Sequence, residues 1–479
     1  MATPDFVDQK RQTPSQPKPI NLLNVFRLGL FNLGVGLMAV LTVAVLNRVM
    51  ISEFNIPAWI TAGAVALQYL LSPARVWFGQ LSDAKPLFGL HRTGYVRIGA
   101  IAAGIAVFLA VQVAWQLGMA SESGWVWNAP TVLWTVCLGL VFVVYGLAIA
   151  SCSVPFTALL VDISDENNRP RLVPIVWSML MVGIVIGGIT GGIWGKTFIG
   201  QTNITLNDLY FPLNLLFTVV PIVFIALAFI ATWGIEKKYS YYAVRSSAQD
   251  REDSITLGNA LRILTQSRQT AIFFFFLLTL TLGLFLQEAV LEPYGGEVFG
   301  MPIGETTQLN AAWGIGILIG YSTTGFLVVP RLGKKLTTRI GCLAVAFCFL
   351  LIIFSGFTAN PQILQAAMLI FGIAAGVATI GGICLMLDLT TAETAGTFIG
   401  AWGLSQSLAR GLAIFLGGIL LDVGKALFNT PFMAYASVFA MEGLIALGAT
   451  VLLNQVNVEE FQENVGNAVQ TVMEGDLDG

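Results

Sequence analysis

The chain has 479 residues, 56% of them hydrophobic and only 11% charged, with a mean hydropathy of +0.78. Soluble globular chains carry about 25% charged residues, so this composition excludes an ordinary soluble domain and points to a polytopic membrane protein. A net charge of −3 is weak and carries no argument about nucleic acid, which is not expected as a partner.

Residues 1–22 are polar and rich in Pro and Gln. They contain no basic stretch followed by an apolar one, so they predict a disordered cytoplasmic tail with no cleaved signal. A bilayer-crossing helix needs about 20 apolar residues. Twelve segments meet that need: 23–47, 57–80, 95–118, 131–161, 172–197, 210–234, 270–292, 306–330, 337–357, 361–387, 396–421 and 430–454. The predicted fold is all-α, with twelve membrane helices in two six-helix halves, 23–235 and 270–454. A cytoplasmic linker, 236–269, joins them, and an acidic cytoplasmic tail, 455–479, follows. Placing the N-terminus in the cytoplasm puts 19 of the 24 Lys and Arg on the cytoplasmic side. Arg48, Lys196 and Lys425 lie opposite, and Arg75 and Arg410 fall inside spans. The positive-inside rule favours this orientation, with both termini cytoplasmic.

The loop after the second segment reads Gly79-Gln80-Leu81-Ser82-Asp83, then His91-Arg92. Gly79 permits close helix approach. Asp83 is expected to cap a helix or pair with Arg92. Asp162 closes the fourth segment as Asp388 closes the tenth. Arg97-Ile98-Gly99 is echoed by Arg339-Ile340-Gly341, and Trp177 by Trp402. These echoes predict a duplicated six-helix unit. In the fifth segment, glycines at 183, 187, 188, 191, 192 and 195 are spaced for tight helix packing. Residues 257–268 predict a short interfacial helix.

The seventh segment ends in Gln287-Glu288-Ala289-Val290-Leu291-Glu292-Pro293-Tyr294-Gly295-Gly296. Carboxylates in a membrane helix are expensive and mark function, unless they merely reach the headgroup layer at a helix end. Arg410 and Glu442 fall near the middle of the last two segments. An ion pair between them would offset two desolvation costs. The five cysteines are scattered through apolar segments without a CxxC, so neither a zinc site nor a disulfide framework is expected. The lone histidine, His91, falls in a loop. A chain without histidine in its spans is a poor pigment-packed antenna, but Gln68, Gln112, Glu288, Gln406 and Glu442 could offer oxygen to a magnesium centre. No Walker loop, nucleophile elbow or HExxH motif is present, and the chain reads as a non-enzyme.

Several stretches resemble the PucC/LhaA, or bacteriochlorophyll delivery, family of the major facilitator superfamily. They are Asn47-Arg48-Val49-Met50, Pro73-Ala74-Arg75, Leu160-Val161-Asp162, Leu291-Glu292-Pro293-Tyr294-Gly295-Gly296, Gly400-Ala401-Trp402-Gly403 and Ala409-Arg410-Gly411. The pattern looks most like a cyanobacterial member. The resemblance implies an assembly factor for light-harvesting or photosystem complexes in a thylakoid or plasma membrane. Such a factor would hold transient chlorophyll or a precursor, with no covalent cofactor. Its implied partners are membrane lipid, chlorophyll-binding apoproteins and chlorophyll biosynthesis enzymes. Glu288, Glu292, Tyr294, Gln406, Arg410 and Glu442 are the expected substrate or pigment pathway. Gly79, Asp83, Arg92, Asp162 and Asp388 are the expected structural motif. The same carboxylates would equally serve a proton-coupled transporter of a small solute.

Overall fold

The computed structural model describes residues 20–122, 124–163, 169–198, 206–240, 268–388 and 395–457. The two tails, the stretch 257–267 of the expected interfacial helix and most of the expected linker lie outside them.

The first segment starts as α1 (Leu22–Ala39), where Asn21 Oδ1 accepts the Asn24 N–H at 3.1 Å. It widens into π-helical turns at Val40–Leu46 and Val49–Glu53. The expected segment 57–80 is two helices, α2 (Ala58–Leu70) and α3 (Pro73–Ala84). Pro73 cannot continue a helix but suits a first turn, so the chain breaks at Leu71-Ser72. Then follow α4 (Thr93–Ala120), α5 (Ala129–Asp162), α6 (Arg169–Phe198), α7 (Leu206–Thr232) and the short α8 (Ile235–Tyr239). With 34 residues, α5 is about 51 Å long at 1.5 Å per residue, and it overshoots a ~30 Å hydrocarbon core.

In the second part of the chain, α9 (Arg268–Phe285) gives way to one 3-10 turn, Leu286–Ala289, and then to α10 (Leu291–Phe299). The remaining helices are α11 (Ile303–Thr323), α12 (Val329–Leu332), α13 (Lys334–Thr358), α14 (Pro361–Asp388), α15 (Ala395–Leu427) and α16 (Pro431–Gln455). Among the described residues, 10 helices are long and apolar enough to cross a membrane. The expected spans at 57–80 and 306–330 are not among them. The first is split into two short helices, and the second carries a polar stretch from Glu305 to Asn310.

The two parts of the chain meet through α6 against α11 and α2 against α15. Small residues set the separation. An ideal Cβ on Gly195 would come 2.6 Å from Gly304 Cα, and one on Gly188 would come 2.8 Å from the Ala311 nitrogen. Gly187 instead faces Val40, so the glycines of α6 serve two neighbours, as their spacing predicts. The contacts between Ala58 and Gly418, Gly195 and Gly304, and Arg48 and Met301 all gather toward one end of the bundle. That end carries the connections 54–57 and 300–302.

Candidate functional site

The site is built on the break between α9 and α10, and the sequence supplies its cause. Pro293 has no N–H and so cannot close a helical bond to the carbonyl of Ala289. That carbonyl instead accepts the Asn47 side-chain amide at 2.7 Å. The backbone N–H of Gln287 is likewise left over, and it donates to Glu442 Oε1 at 3.0 Å. The helix is thus opened inside the bundle, and side chains from both parts of the chain satisfy its free backbone groups. The expected limit of this segment at 292 is corrected. The chain runs on as helix to Phe299, and Glu292 is only 2% exposed.

Arg410 donates through Nε to Glu288 Oε2 at 2.8 Å and through Nη2 to Oε1, a two-point fork. Its guanidinium lies 4.7 Å from the ring centre of Tyr69 and 4.4 Å from that of Phe285. The expected pairing of Arg410 with Glu442 is therefore overturned. The break brings Glu288 to Arg410, and Glu442 is taken up by unpaired backbone at Gln287. Glu292, in the first turn of α10, accepts from Asn310 Nδ2 through Oε1. Arg48 donates to Thr306 Oγ1 at 2.6 Å and to the Met301 carbonyl at 2.9 Å, lying across Gly296. An ideal Cβ at Gly296 would stand 2.8 Å from Arg48 Nη2.

A small cavity of about 30 Å³ opens at the break. Gln287, Glu288, Glu292 and Asn310 form its polar side, and Val43, Ala44, Trp313 and Met368 form apolar wall. Gln287 Oε1, Glu292 Oε2 and Trp313 Nε1 are buried and have no hydrogen-bond partner. Tyr294 is not part of the lining. It is fully buried against Phe299, Tyr435 and Phe439 and donates to the Ile352 carbonyl at 3.0 Å. Gln406 lies on α15 one turn before Arg410, half-buried and off the cavity lining. Of the other oxygen donors considered, Gln112 is engaged with Asn214, and Gln68 packs where α2 meets Gly146 of α5.

The loop motif forms a second cluster. Arg92 Nε donates to Asp162 Oδ2 at 2.8 Å and Arg92 Nη1 to Ser82 Oγ at 2.6 Å, tying two expected motif residues together. Glu236 accepts the backbone N–H groups of His91 at 2.7 Å, Arg92 at 3.1 Å and Thr93 at 2.7 Å, so it closes the N-terminus of α4. The side chains of Asp83 and Asp388 lie outside the described residues. The close helix approach expected at Gly79 is not forced there, because an ideal Cβ would meet Val154 at an ordinary 3.5 Å. Asn47, Gln287 and Asn310 were missed by the sequence reading. Their signal was an amide beside a charge (Asn47-Arg48, Gln287-Glu288) or a polar run heading an apolar segment (Glu305 to Asn310).

The family model described as "PUCC protein" matches residues 45–461. The chain belongs to this family. The match includes every residue of the break and both side chains that satisfy its free backbone groups, Asn47 and Glu442. Among curated relatives, the "Bacteriochlorophyll synthase 44.5 kDa chain" of Rhodobacter capsulatus is 28% identical over 442 residues, covering 91% of this chain and 95% of that protein. "Protein PucC" of Cereibacter sphaeroides is 27% identical over 443 residues, covering 90% and 92%. Solved structures share the fold at low identity. A point mutant of the nucleoside transporter NupG gives a TM-score of 0.66 at 14% identity, covering 91% of this chain and 99% of its own. A bacterial homologue of the iron transporter ferroportin, in an inward-facing state, gives 0.60 at 13%, covering 91% and 99%. The fold is that of the major facilitator transporters.

Proposed function

We propose that this chain is an assembly factor for light-harvesting or photosystem complexes, which takes up chlorophyll, bacteriochlorophyll or a precursor and passes it to nascent apoproteins. The observation that carries this reading is the family match across residues 45–461, together with a full-length relative that is named for bacteriochlorophyll synthesis. In this reading the protein acts without catalysing a reaction, in the thylakoid or plasma membrane of a phototroph such as a cyanobacterium. Chlorophyll-binding apoproteins and chlorophyll biosynthesis enzymes are its partners. Residues 58–84 and 303–332 complete a twelve-span bundle of two six-helix halves, with both termini on the cytoplasmic face, where 19 of the 24 Lys and Arg collect.

A 30 Å³ cavity is far too small for a tetrapyrrole. Pigment therefore enters when the two halves part, along the α2–α15 and α6–α11 seams, where glycine contacts leave few side chains to unlock. Glu288, Glu292 and Arg410 then become the polar floor of the opened path. The test is purification from the native membrane in mild detergent, with absorption spectroscopy and mass spectrometry on one fraction. Near-stoichiometric tetrapyrrole together with photosystem or antenna apoproteins is the expected result. A colourless preparation free of such partners would count against it.

A second reading, a proton-coupled transporter of a small solute, is favoured by the intramembrane carboxylates at a broken helix, where transporters of several folds place their sites. It predicts ion-coupled uptake into vesicles that is abolished in Glu292→Gln.

A further inference from the structure

Charge at the break does not balance. Arg410 is committed to Glu288 through both carboxylate oxygens. Glu292 is 2% exposed, and its nearest hydrogen-bond partner is the neutral amide of Asn310. Arg48 lies on the same side of the site, close enough for its charge to act on Glu292 through space, but its hydrogen bonds go to Thr306, the Met301 carbonyl and Glu53, and its Nε keeps no partner. Glu292 therefore stands inside the protein with a free oxygen, Oε2, and forms no ion pair among the described residues. An unpaired buried charge costs several kcal/mol unless a counter-charge joins it.

The surroundings suit such a counter-charge. Glu292 and Gln287 line the same cavity, and each keeps one buried oxygen without a partner. Gln287 is itself only 4% exposed. The break also sets two helix ends against each other. The C-terminus of α9 presents a partial negative charge to the gap, and the N-terminus of α10 supports a carboxylate at Glu292. Unwound helix with its end turned on the gap is how membrane transporters hold small cations.

We propose that this cavity binds one small monovalent metal cation, of sodium size, between Glu292 Oε2 and Gln287 Oε1. Glu292 Oε2 and Gln287 Oε1 offer one charged and one neutral oxygen, a set that suits a single positive charge, whereas calcium takes six to eight oxygens, several of them charged. The cavity's 30 Å³ leaves room for one or two waters at ~10–15 Å³ each to complete the shell. Trp313 Nε1, also without a partner on the cavity wall, can donate to one of those waters. The occupied site would lock Glu292, Gln287 and the break into one geometry, so cation binding is coupled to how the two parts of the chain meet at Asn47.

The test uses the full-length protein in detergent. Radiolabelled sodium binding is measured by equilibrium dialysis, and thermal unfolding is followed in NaCl, KCl and choline chloride at two pH values near neutrality. The expected result is saturable binding of one sodium per chain, a thermal midpoint higher in NaCl than in choline chloride, and sodium affinity roughly 10-fold or more weaker in Glu292→Gln and in Gln287→Leu. Arg92→Lys, which disturbs the buried pair with Asp162 in the loop cluster and lies off the cavity lining, controls for general loss of stability and should retain sodium binding. No saturable sodium binding to the wild type, with unfolding that responds to pH and not to salt identity, overturns the proposal and assigns the charge at Glu292 to a proton. These readouts need no pigment, so the inference stands or fails apart from the assembly role.

Discussion

Arg410→Leu should destabilise the protein by about 3 kcal/mol, and adding Glu288→Leu to the same chain should recover much of that loss. Removing one partner of a buried ion pair costs ~3–5 kcal/mol because the other charge is left uncompensated, whereas replacing both by apolar groups is often neutral. The two side chains keep 28% and 15% of their accessibility, which places this pair at the lower end of that range. The stacking of Arg410 between Tyr69 and Phe285 is worth ~0.5–2 kcal/mol and is lost in every Arg410 variant, so recovery in the double variant stays partial. The assay is a double-mutant cycle on unfolding free energies in mixed SDS and nonionic micelles. A coupling of ~1–3 kcal/mol is expected between positions 410 and 288. Between 410 and 442 it should be within about 0.5 kcal/mol of zero. A larger coupling for 410 with 442 than with 288 would refute the reasoning.

Three further outcomes follow from the same geometry. Glu442→Leu should cost ~1–3 kcal/mol by orphaning the Gln287 N–H, while Glu442→Gln, which keeps an acceptor, should lose much less; the same unfolding assay compares them. Asn47→Leu strips the Ala289 carbonyl of its donor at a similar ~1–3 kcal/mol, and adding Pro293→Ala, which supplies a new N–H four residues on, should restore part of the loss; equal instability of both variants would exclude this account of the break. Gly195→Val should abolish a monodisperse peak in size-exclusion chromatography, because its side chain meets the backbone of Gly304. Gly448→Ala, with open space around it, should elute unchanged and be up to ~1 kcal/mol more stable through helix propensity.

Much of the architecture was legible because the bilayer imposes a length and a polarity on each helix. The segment limits 361–387 and 430–454 agree with α14 and α16 to within a residue. What periodicity missed was how helices break. Composition treats 57–80 as one apolar run, but Pro73 divides it. Nor can composition tell that Pro293 frees a carbonyl that only Asn47, 242 positions away from Ala289, will take up. The charged residues of the site were all visible, since any charge in such a chain stands out. Their partners were not, because Arg410 had three carboxylates within plausible reach, and the choice depends on the turn made by Leu286–Ala289. The amides Asn47, Gln287 and Asn310 stood out only by their neighbours, a charge or a polar run, and became decisive through geometry.

The central claim, pigment handed to apoprotein, is tested most directly by a pulse–chase in the native phototroph. Newly made tetrapyrrole is labelled, and its passage is followed through this protein into the chlorophyll–protein complexes, in wild type and in a strain lacking the chain. The account predicts label that appears first on this protein and then moves to the complexes during the chase, with slowed arrival and accumulating free pigment in the deletion strain. Label that never resides on this protein, and reaches the complexes at the wild-type rate without it, would contradict the account.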